Sequence, residues 1–409
     1  MRSSAAILCL LVLMGSVSAQ TRDLHSFKKI TLTKDFYAEG AGIGDINQDG
    51  KPDVIYGPYW YEGPDFKTRH EIYKPEVFDP TKYSNNFITF VYDVNNDKFP
   101  DILVNIWPGK EVFWYENPQN KGTAWKKHVA YPKVDNESPG FGDITGDGKP
   151  ELIFHTGGIL GYANPDPKDP TKQWKFTPIS EKEKYGQYTH GLGFGDVTGD
   201  GKPDFLLGNA WWEQTDKSPW TKHAAGFGNG AHMHVYDVDG DGLNDIVTSL
   251  QAHGYGLAWF KQVKDGGKTT FQKNLILGDK PSDSPYGLRF SQLHAVELVD
   301  IDGDGLKDIV TGKRYWAHGP KGDVEPEKPA VLYWFKLVRT NAKGAHFIPY
   351  QIDDDSGVGT QFSVGDLNGD KLPDIVIGNK KGGYIFLHEV KKVSQEEYDK
   401  AQPRLQQGS

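Results

Sequence analysis

The chain has 409 residues and a formal net charge of −9 at pH 7. This acidic balance argues against nucleic acid as a partner, because phosphate backbones are bound by basic surfaces. Aromatic residues make up 13% of the chain, glycine and proline are frequent, and no long stretch has apolar residues at helical spacing. The composition therefore predicts many short strands joined by turns, with little helix.

The N-terminal residues have the pattern of a secretory signal. Arg2 precedes an apolar run at residues 5–14, and the small residues Val-Ser-Ala follow at 17–19. This pattern predicts cleavage after Ala19 and an exported mature chain, either periplasmic or extracellular. The only cysteine, Cys9, lies in the segment that is removed, so no disulfide is expected. No later segment is long and apolar enough to span a membrane.

A nine-residue aspartate loop recurs seven times along the chain. Its fullest copy is DVDGDGLND at residues 237–245, with side-chain oxygens at positions 1, 3, 5 and 9 and glycines at positions 4 and 6. A hard, oxygen-preferring cation suits such a loop, and calcium is the expected ion. An EF-hand is excluded because position 12, which must be a bidentate Glu, is Thr248 in an apolar run.

Every copy offers four candidate calcium ligands. The loops that begin at Asp237 and Asp300 are expected to bind most tightly, since all four of their ligands are carboxylates. Those with Lys98 and Lys371 in place of the second glycine are expected to bind most weakly. The predicted ligands are Asp45, Asn47, Asp49 and Asp53; Asp93, Asn95, Asp97 and Asp101; Asp143, Thr145, Asp147 and Glu151; Asp196, Thr198, Asp200 and Asp204; Asp237, Asp239, Asp241 and Asp245; Asp300, Asp302, Asp304 and Asp308; and Asp366, Asn368, Asp370 and Asp374.

The spacing of the loops predicts the fold. Consecutive loops begin 41 to 66 residues apart, a period that suits four short strands with their turns. We therefore predict an all-β, seven-bladed β-propeller of four-stranded antiparallel blades over residues 20–392, followed by a polar tail at 393–409 that forms a short helix or is disordered. Residues 25–33 resemble the outer-strand phrases at 125–131 and 220–226, and the last repeat has no such strand of its own. The N-terminal strand is thus predicted to complete blade seven and close the ring.

A second repeated phrase carries the aromatic residues. It is WYEGP from Trp60, WYENP from Trp114, WWEQ from Trp211, AWFKQ from Ala258 and YWFKL from Tyr333. Large flat side chains on a strand can fill the space between neighbouring blades or stack on a sugar. The regular spacing favours the first role.

Two family resemblances follow from these motifs. Phrases such as GFGDITGDGKPE and GFGDVTGDGKPD resemble FG-GAP/VCBS-repeat propellers, a group that includes adhesion-receptor heads, lectin-like modules and polysaccharide-cleaving enzymes. The stretches AHMHVYDVDGDGLNDIVTSLQAHGYGLAWF from Ala231 and GKRYWAHGP from Gly312 resemble the propeller portion of aldos-2-ulose dehydratases. Those enzymes remove water from oxidised sugars, so this resemblance implies a related sugar chemistry.

Polar residues on the face opposite the aspartate loops are concentrated in three blades. In a four-stranded blade, the turns before the first strand and after the second lie on that opposite face. The relevant positions in blades 4, 5 and 6 hold His190, His232, Gln251, His253, His294, Lys313, Arg314, Tyr315 and His318. The other blades contribute the less distinctive set of Glu39, Asn86, Glu137, Asn209 and Asn379.

We predict a chemical site at the mouth of the channel. Neutral imidazoles can hold Zn²⁺ or a similar divalent ion that polarises a substrate carbonyl. Arg314 is expected to bind a carboxylate or enolate oxygen, while a free histidine or Tyr315 takes the proton. The predicted catalytic residues are His190, His232, His253, His294, Arg314 and Tyr315, and the predicted substrate contacts are Gln251, Lys313 and His318.

The residues leave more than one function open. A lyase or dehydratase acting on an oxidised or acidic sugar explains the His/Arg/Tyr set, because proton abstraction beside a carbonyl needs a base and a cation for the developing enolate. A non-catalytic carbohydrate- or protein-binding or adhesion propeller needs only the scaffold and an exposed face. An oxidoreductase is disfavoured, since neither a haem-attaching CxxCH nor a dinucleotide fingerprint occurs.

Overall fold

The structure is a computed structural model that describes residues 21–215, 220–341 and 344–406. The predicted signal at residues 1–19 lies outside this part of the chain, as do the last three residues of the predicted tail. Strands dominate the described residues, together with one 3₁₀ turn (Pro281–Asp283) and the short helix α1 (Gln395–Ala401). The prediction of an all-β chain with little helix is confirmed.

The strands form antiparallel units around the aspartate loops, and each unit is numbered here by its loop. After β1 (Thr21–Thr33), unit 1 contains β2 (Ala41–Gly44), β3 (Asp53–Tyr56), β4 (Tyr59–Tyr61) and β5 (Arg69–Glu71). Units 2 and 3 contain β6 (Ile88–Tyr92), β7 (Asp101–Asn105), β8 (Lys110–Glu116), β9 (Lys126–Gly142), β10 (Glu151–Thr156), β11 (Ile159–Asn164) and β12 (Lys175–Pro178). The long strand β9 pairs with β8 through its first half and with β10 through its second, so it belongs to both units.

The later units repeat the same order. Unit 4 contains β13 (Leu192–Gly195), β14 (Asp204–Leu207), β15 (Ala210–Glu213) and β16 (Thr221–Ala224), and unit 5 contains β17 (His232–Tyr236), β18 (Asp245–Ser249), β19 (Leu257–Asp265) and β20 (Lys268–Leu277). Unit 6 contains β21 (Val296–Val299), β22 (Asp308–Gly312), β23 (Leu332–Thr340) and β24 (Gly344–Asp353), and unit 7 contains β25 (Phe362–Gly365), β26 (Asp374–Asn379) and β27 (Gly382–Ser394).

Hydrogen bonds within each loop explain why the nine-residue phrase recurs. In unit 5, Asp237 accepts the backbone N–H of Gly240 at 2.8 Å. Asp245, at position 9, accepts the N–H of Val238 at 2.9 Å and that of Gln262 on the next strand, β19, at 2.7 Å. The first aspartate therefore shapes the turn, and the ninth ties the turn to its sheet.

The sixth residue of the loop adopts a positive φ, even where it is a lysine. Gly242 has a φ of 89°, and Lys98 and Lys371 occupy the equivalent positions with φ values of 79° and 69°. Left-handed backbone costs a non-glycine residue roughly 1–2 kcal/mol. These two turns are thus less favourable than the glycine-containing ones.

Aromatic strands fill the space between units. Trp114 and Trp211 are almost completely buried, and Trp334 of unit 6 packs in one cluster with Phe362 and Tyr384 of unit 7. Burial of this much aromatic surface favours the folded state by several kcal/mol per unit boundary. The prediction that these residues form core rather than a sugar platform is confirmed.

The first and last units are in contact. β1 pairs antiparallel with β27 along its length, and it forms the outer strand of a sheet ordered β1-β27-β26-β25. The side chain of Gln361, just before β25, accepts the N–H of Ala41 in β2 at 3.2 Å. The prediction that the N-terminal strand completes the last unit agrees with this pairing, and the sheets as a whole fit a β-propeller.

The end of the chain continues this last sheet. β27 runs to Ser394, whose hydroxyl accepts the N–H of Glu397 and caps α1. Among the residues described, no helix has the length and apolar composition needed to cross a membrane.

Candidate functional site

The candidate site lies at one end of a central cavity. The cavity has a volume of about 590 Å³ and is lined by the first strands of the units, including Ser138, Leu192 and Glu297. Glu137, His190 and His294 precede these residues in the chain, whereas the aspartate loops follow the same strands. The three side chains therefore begin at the cavity end that is opposite the loops, as the sequence predicted.

Three imidazoles and one carboxylate converge there. His190, His253 and His294, from three units, meet Glu137 from a fourth, and one ligand atom of each lies within 4.8 Å of the others. His294 Nε2 is 3.0 Å from Glu137 Oε2, and His190 Nε2 is 3.3 Å from the same oxygen. His253 Nε2 is 2.9 Å from His190 Nε2 and 3.8 Å from Glu137 Oε2. We call these four residues the histidine cluster.

The spacing of these atoms suits one metal ion. Ligands about 2.1 Å from a single ion lie roughly 3.0–3.5 Å from one another in octahedral or tetrahedral geometry. The separations of 2.9–3.8 Å among the Nε2 and Oε2 atoms are close to that range. Three neutral imidazoles and one carboxylate form a ligand set that zinc or another divalent transition metal accepts.

Electrostatics around the cluster also favours a cation. Arg314 lies against both Glu39 and Glu137, and its Nη1 is 3.6 Å from Glu137 Oε2. Two carboxylates thus share one guanidinium, which leaves a net negative charge at the cluster while the imidazoles are neutral. Burial opposes ionisation of Glu137, but hydrogen bonds from His190 and His294 outweigh it and hold its pKa well below the ordinary value.

The imidazoles are held in the state that binds metals. Burial, together with the charges of His294 and Arg314, lowers the pKa of His253 to about 2. Burial and the charge of Arg314 lower the pKa of His294 to about 3. Metal ligands must be deprotonated, so these neutral side chains are ready to coordinate.

A second pair of side chains borders the cluster. His318 Nδ1 is 2.7 Å from Asp323 Oδ1, and the same oxygen is 3.5 Å from His253 Nδ1. The side chain of Asp323 is only 2% exposed, whereas that of His318 is 42% exposed. The sequence placed His318 among the substrate contacts, and the structure puts its imidazole at the open side of the cluster.

The other predicted residues lie outside the histidine cluster. His232 begins β17 and lines the central cavity, so it is separate from the histidines with which it was grouped. Arg314 is 2% exposed and engaged by two carboxylates, a position in which it orders the cluster instead of contacting a substrate carboxylate as predicted. Tyr315 stacks on Trp316 at 4.6 Å and Gln251 is exposed.

Lys313 is buried, and its ammonium group has a partner inside the protein. Its ammonium donates to Ser291 Oγ at 2.7 Å, and the residue is 1% exposed. Burial lowers its pKa to about 8, with the nearby charge of Glu325 opposing the shift. The predicted contact between Lys313 and substrate does not fit this burial.

Sequence reasoning assigned no role to the acidic members of the site. It placed Glu39 and Glu137 on the correct face but treated them as undistinguished. The available signal was position: Glu137 precedes its loop by the same number of residues as His190 and His294 precede theirs. Reading that position across all repeats would have grouped the carboxylate with the histidines.

Two of the seven aspartate loops bring three carboxylates together within 4.8 Å. These are Asp237, Asp239 and Asp241 in unit 5, and Asp300, Asp302 and Asp304 in unit 6. A lysine of the third strand contacts each group: Lys261 Nζ is 2.8 Å from Asp241, and Lys336 Nζ is 2.7 Å from Asp304. Positive charge therefore lies beside the loops that have the most carboxylates.

Comparisons with known proteins identify the repeats. The FG-GAP-like repeat family matches residues 93–154 and 237–311, and the FG-GAP repeat family matches residues 358–388. These segments contain five of the seven aspartate loops. No curated protein sequence matches the chain significantly.

Several solved structures are similar at low identity. A lectin of Agrocybe aegerita, described as recognising non-reducing terminal N-acetylglucosamine, is 15% identical, with a TM-score of 0.46 over 82% of this chain and 81% of the lectin. The rhamnogalacturonan lyase YesW is 14% identical, with a TM-score of 0.43 over 89% of this chain and 72% of the lyase. BBS1N, in a complex with ARL6DN, is 10% identical, with a TM-score of 0.46 over 90% of this chain and 96% of that protein. Likenesses this remote do not indicate an activity for this chain.

Proposed function

We propose that this chain is a secreted, calcium-stabilised, closed seven-bladed propeller that acts as a metal-dependent lyase or dehydratase on an oxidised or acidic sugar. The observation that carries the proposal is the convergence of His190, His253 and His294 on Glu137. Burying a carboxylate among imidazoles is costly unless a cation compensates it, and a divalent ion does so while binding all four side chains. The proposed cofactor is Zn²⁺ or a similar divalent ion.

The proposed chemistry is β-elimination. A bound divalent ion would supply a Lewis acid for the substrate carbonyl or carboxylate. His318 is positioned as the base, because Asp323 holds its Nδ1 and leaves Nε2 free to take the proton beside that carbonyl. The electrons of the broken C–H bond form the new double bond, and the β-oxygen leaves with the electrons of its C–O bond. His318 then returns the proton to that oxygen, releasing water or an alcohol.

Separate observations support secretion, bound calcium, ring closure and a sugar substrate. The pattern of residues 1–19 supports secretion, and the seven aspartate loops support bound calcium. Pairing of β1 with β27 and the contact of Gln361 with Ala41 support a ring that closes through the N-terminal strand. The resemblance of residues 231–260 and 312–320 to aldos-2-ulose dehydratases, seen in the sequence, supports the choice of a sugar substrate.

Metal analysis of the purified mature protein, combined with an activity screen, tests the proposal. We expect about one transition-metal ion per chain, and formation of ultraviolet-absorbing unsaturated products from oxidised or acidic sugars. Glu137→Gln should lose the metal and at least about 100-fold of the activity, because one ligand and the compensating charge are removed. His223→Gln, which changes an imidazole on β16, serves as the control and should behave as wild type.

The outcomes separate the candidate functions. A protein that binds sugar but forms no product, with or without metal, would be the non-catalytic carbohydrate-binding propeller that the sequence left open. Absence of any transition metal from active or ligand-binding protein would refute the metal centre itself. Calcium is tested separately, since chelation should lower the melting temperature if the loops are occupied.

A further inference from the structure

Asp323 occupies an unusual place beside the histidine cluster. The two ring nitrogens of His253 face different partners: Nε2 lies 2.9 Å from His190 Nε2, whereas Nδ1 lies 3.5 Å from Asp323 Oδ1. Nδ1 is buried and, in the described part of the chain, makes no hydrogen bond. A buried ring nitrogen without a partner is costly, and the Asp323 carboxylate lies within reach of it at 3.5 Å.

The segment that carries Asp323 is firmly held. It connects β22 to β23, and the backbone carbonyl of Val324 accepts hydrogen bonds from Ser291 Oγ at 2.8 Å and from Lys313 Nζ at 3.4 Å. Near the start of the segment, Lys380 Nζ donates to the carbonyl of Trp316 at 2.9 Å. Two buried ammonium groups therefore fix a segment that would otherwise be a long surface connection. This anchoring explains why Lys313 and Lys380 are buried.

The fixed direction of the Asp323 carboxylate suits an orienting role. Its Oδ1 lies 2.7 Å from His318 Nδ1. The backbone bond from His318 N–H to Asp323 Oδ2 is 2.7 Å long and fixes the direction of the carboxylate. A carboxylate of fixed orientation thus lies 3.5 Å from His253 Nδ1.

We infer that Asp323 is a positioning residue that accepts the Nδ1–H of His253 and so directs His253 Nε2 to the metal. The inference rests on the proposed metal site and adds a residue to it. A carboxylate behind a coordinating imidazole fixes its tautomer and orientation and raises its basicity. Asp323 would then hold two imidazoles, His253 for metal binding and His318 for proton transfer.

A second metal ion beside the histidine cluster is an alternative role for Asp323, and it makes a different prediction. His253, His318 and Asp323 each have a ligand atom within 4.8 Å of the others, so they could hold a second ion. In that case Asp323 and His318 are themselves ligands, and loss of His318 removes one equivalent of metal. If Asp323 acts only through His253, His318→Gln binds the same number of metal ions as the wild type, with the same affinity.

Cobalt binding to the full mature chain tests the inference independently of activity. We expect one Co²⁺ per wild-type chain, with Asp323→Asn binding it about 10–100-fold more weakly and showing an altered visible absorption spectrum. Asp323→Glu should recover part of the affinity. Glu325→Gln is the matched control, because Glu325 lies in the same segment and pairs with Arg289 instead of a histidine, and its affinity should stay within about twofold of wild type.

The possible failures are distinguishable. Wild-type protein that binds no Co²⁺ or Zn²⁺ would refute the proposed metal centre, and the inference with it. Wild-type binding that is unchanged in Asp323→Asn would overturn the inference alone. So would loss of a second metal equivalent in His318→Gln, or an equal loss of affinity in Glu325→Gln, since that would reflect a general loosening of the segment.

Discussion

At the residue scale, the buried histidines differ in what compensates their burial. His294 has Glu137 at 3.0 Å, whereas both ring nitrogens of His155 on β10 are buried and have no hydrogen-bond partner among the described residues. Burial lowers the pKa of His155 to about 4, although the nearby charge of Asp135 opposes the shift. Protonation of His155 is therefore incompatible with its position in the fold.

This burial predicts a specific acid sensitivity. Between about pH 4 and the ordinary pKa of 6.5, the unfolded chain binds a proton on His155 that the folded chain does not. The contribution of neutral His155 to the unfolding free energy is thus complete above pH 6.5, and it is lost as the pH falls. Between pH 7 and pH 5, His155 should cost the wild type about 2 kcal/mol of unfolding free energy. His155→Phe should not show this loss.

Denaturant unfolding at pH 7 and pH 5 measures this difference. His70→Phe is the matched control, because His70 lies on the outer strand β5 with 42% of its side chain exposed, and it should leave the pH dependence unchanged. Equal acid sensitivity in His155→Phe and wild type would contradict the role assigned to His155.

At the element scale, one position on the third strand differs between units. In units 1, 2 and 4 it is a glutamate that contacts a histidine of the fourth strand, as in the pair Glu213–His223 at 2.7 Å. In units 5 and 6 it is Lys261 or Lys336, which contacts the aspartate loop instead. The lysine occurs where loop position 3 is aspartate, and glutamate occurs where that position is asparagine or threonine. The lysine of the third strand thus offsets part of the negative charge of the aspartate loop in the same unit.

This compensation bears on the predicted order of calcium affinities. The sequence ranked the loops of units 5 and 6 as tightest because it counted only their carboxylates. Lys261→Met removes a positive charge next to Asp239 and Asp241, and it should raise the calcium affinity of that loop about tenfold.

Calcium titration by calorimetry checks this prediction. Lys273→Met, on the neighbouring strand β20, is the control for the loss of a surface lysine and should have no effect. An unchanged affinity in Lys261→Met would mean that the ammonium moves aside when the ion binds.

At the scale of the whole molecule, the N-terminal strand joins the two ends of the chain. β1 pairs with β27 from Thr21↔Ser394 to Thr33↔Gly383. Without β1, the last sheet would have three strands and an exposed edge. The link between the first and last units would then depend on contacts such as that between Gln361 and Ala41.

Deleting residues 25–33 should therefore destabilise the whole protein. We expect aggregation or a melting temperature lower by at least about 10 °C, because the lost pairing affects both the first and the last units. Ending the chain at Ser394 is the control, since it removes α1 but keeps both strands. A soluble deletion mutant with unchanged melting would show that β1 is dispensable for the stability of the fold.

The sequence by itself determined the local structure and the general position of the site. Each aspartate loop is shaped by hydrogen bonds between residues that are close in sequence, such as Asp237 and Gly240, so the repeated phrase suffices to predict it. The regular order of strands around the loops also predicts which face holds His190, His253 and His294. These features depend on short-range geometry and on strand alternation, which a sequence displays directly.

Only the tertiary structure decided which side chains meet. Glu137 and His294 are separated by 157 residues, and their contact depends on the angular position of whole units around the cavity. The same geometry excludes His232 from the cluster, buries Arg314 between Glu39 and Glu137, and brings Asp323 to His253 on an anchored connection. Repeat spacing gives the face on which a residue lies, but unit orientation and side-chain packing determine its partners, and neither has a local sequence signal.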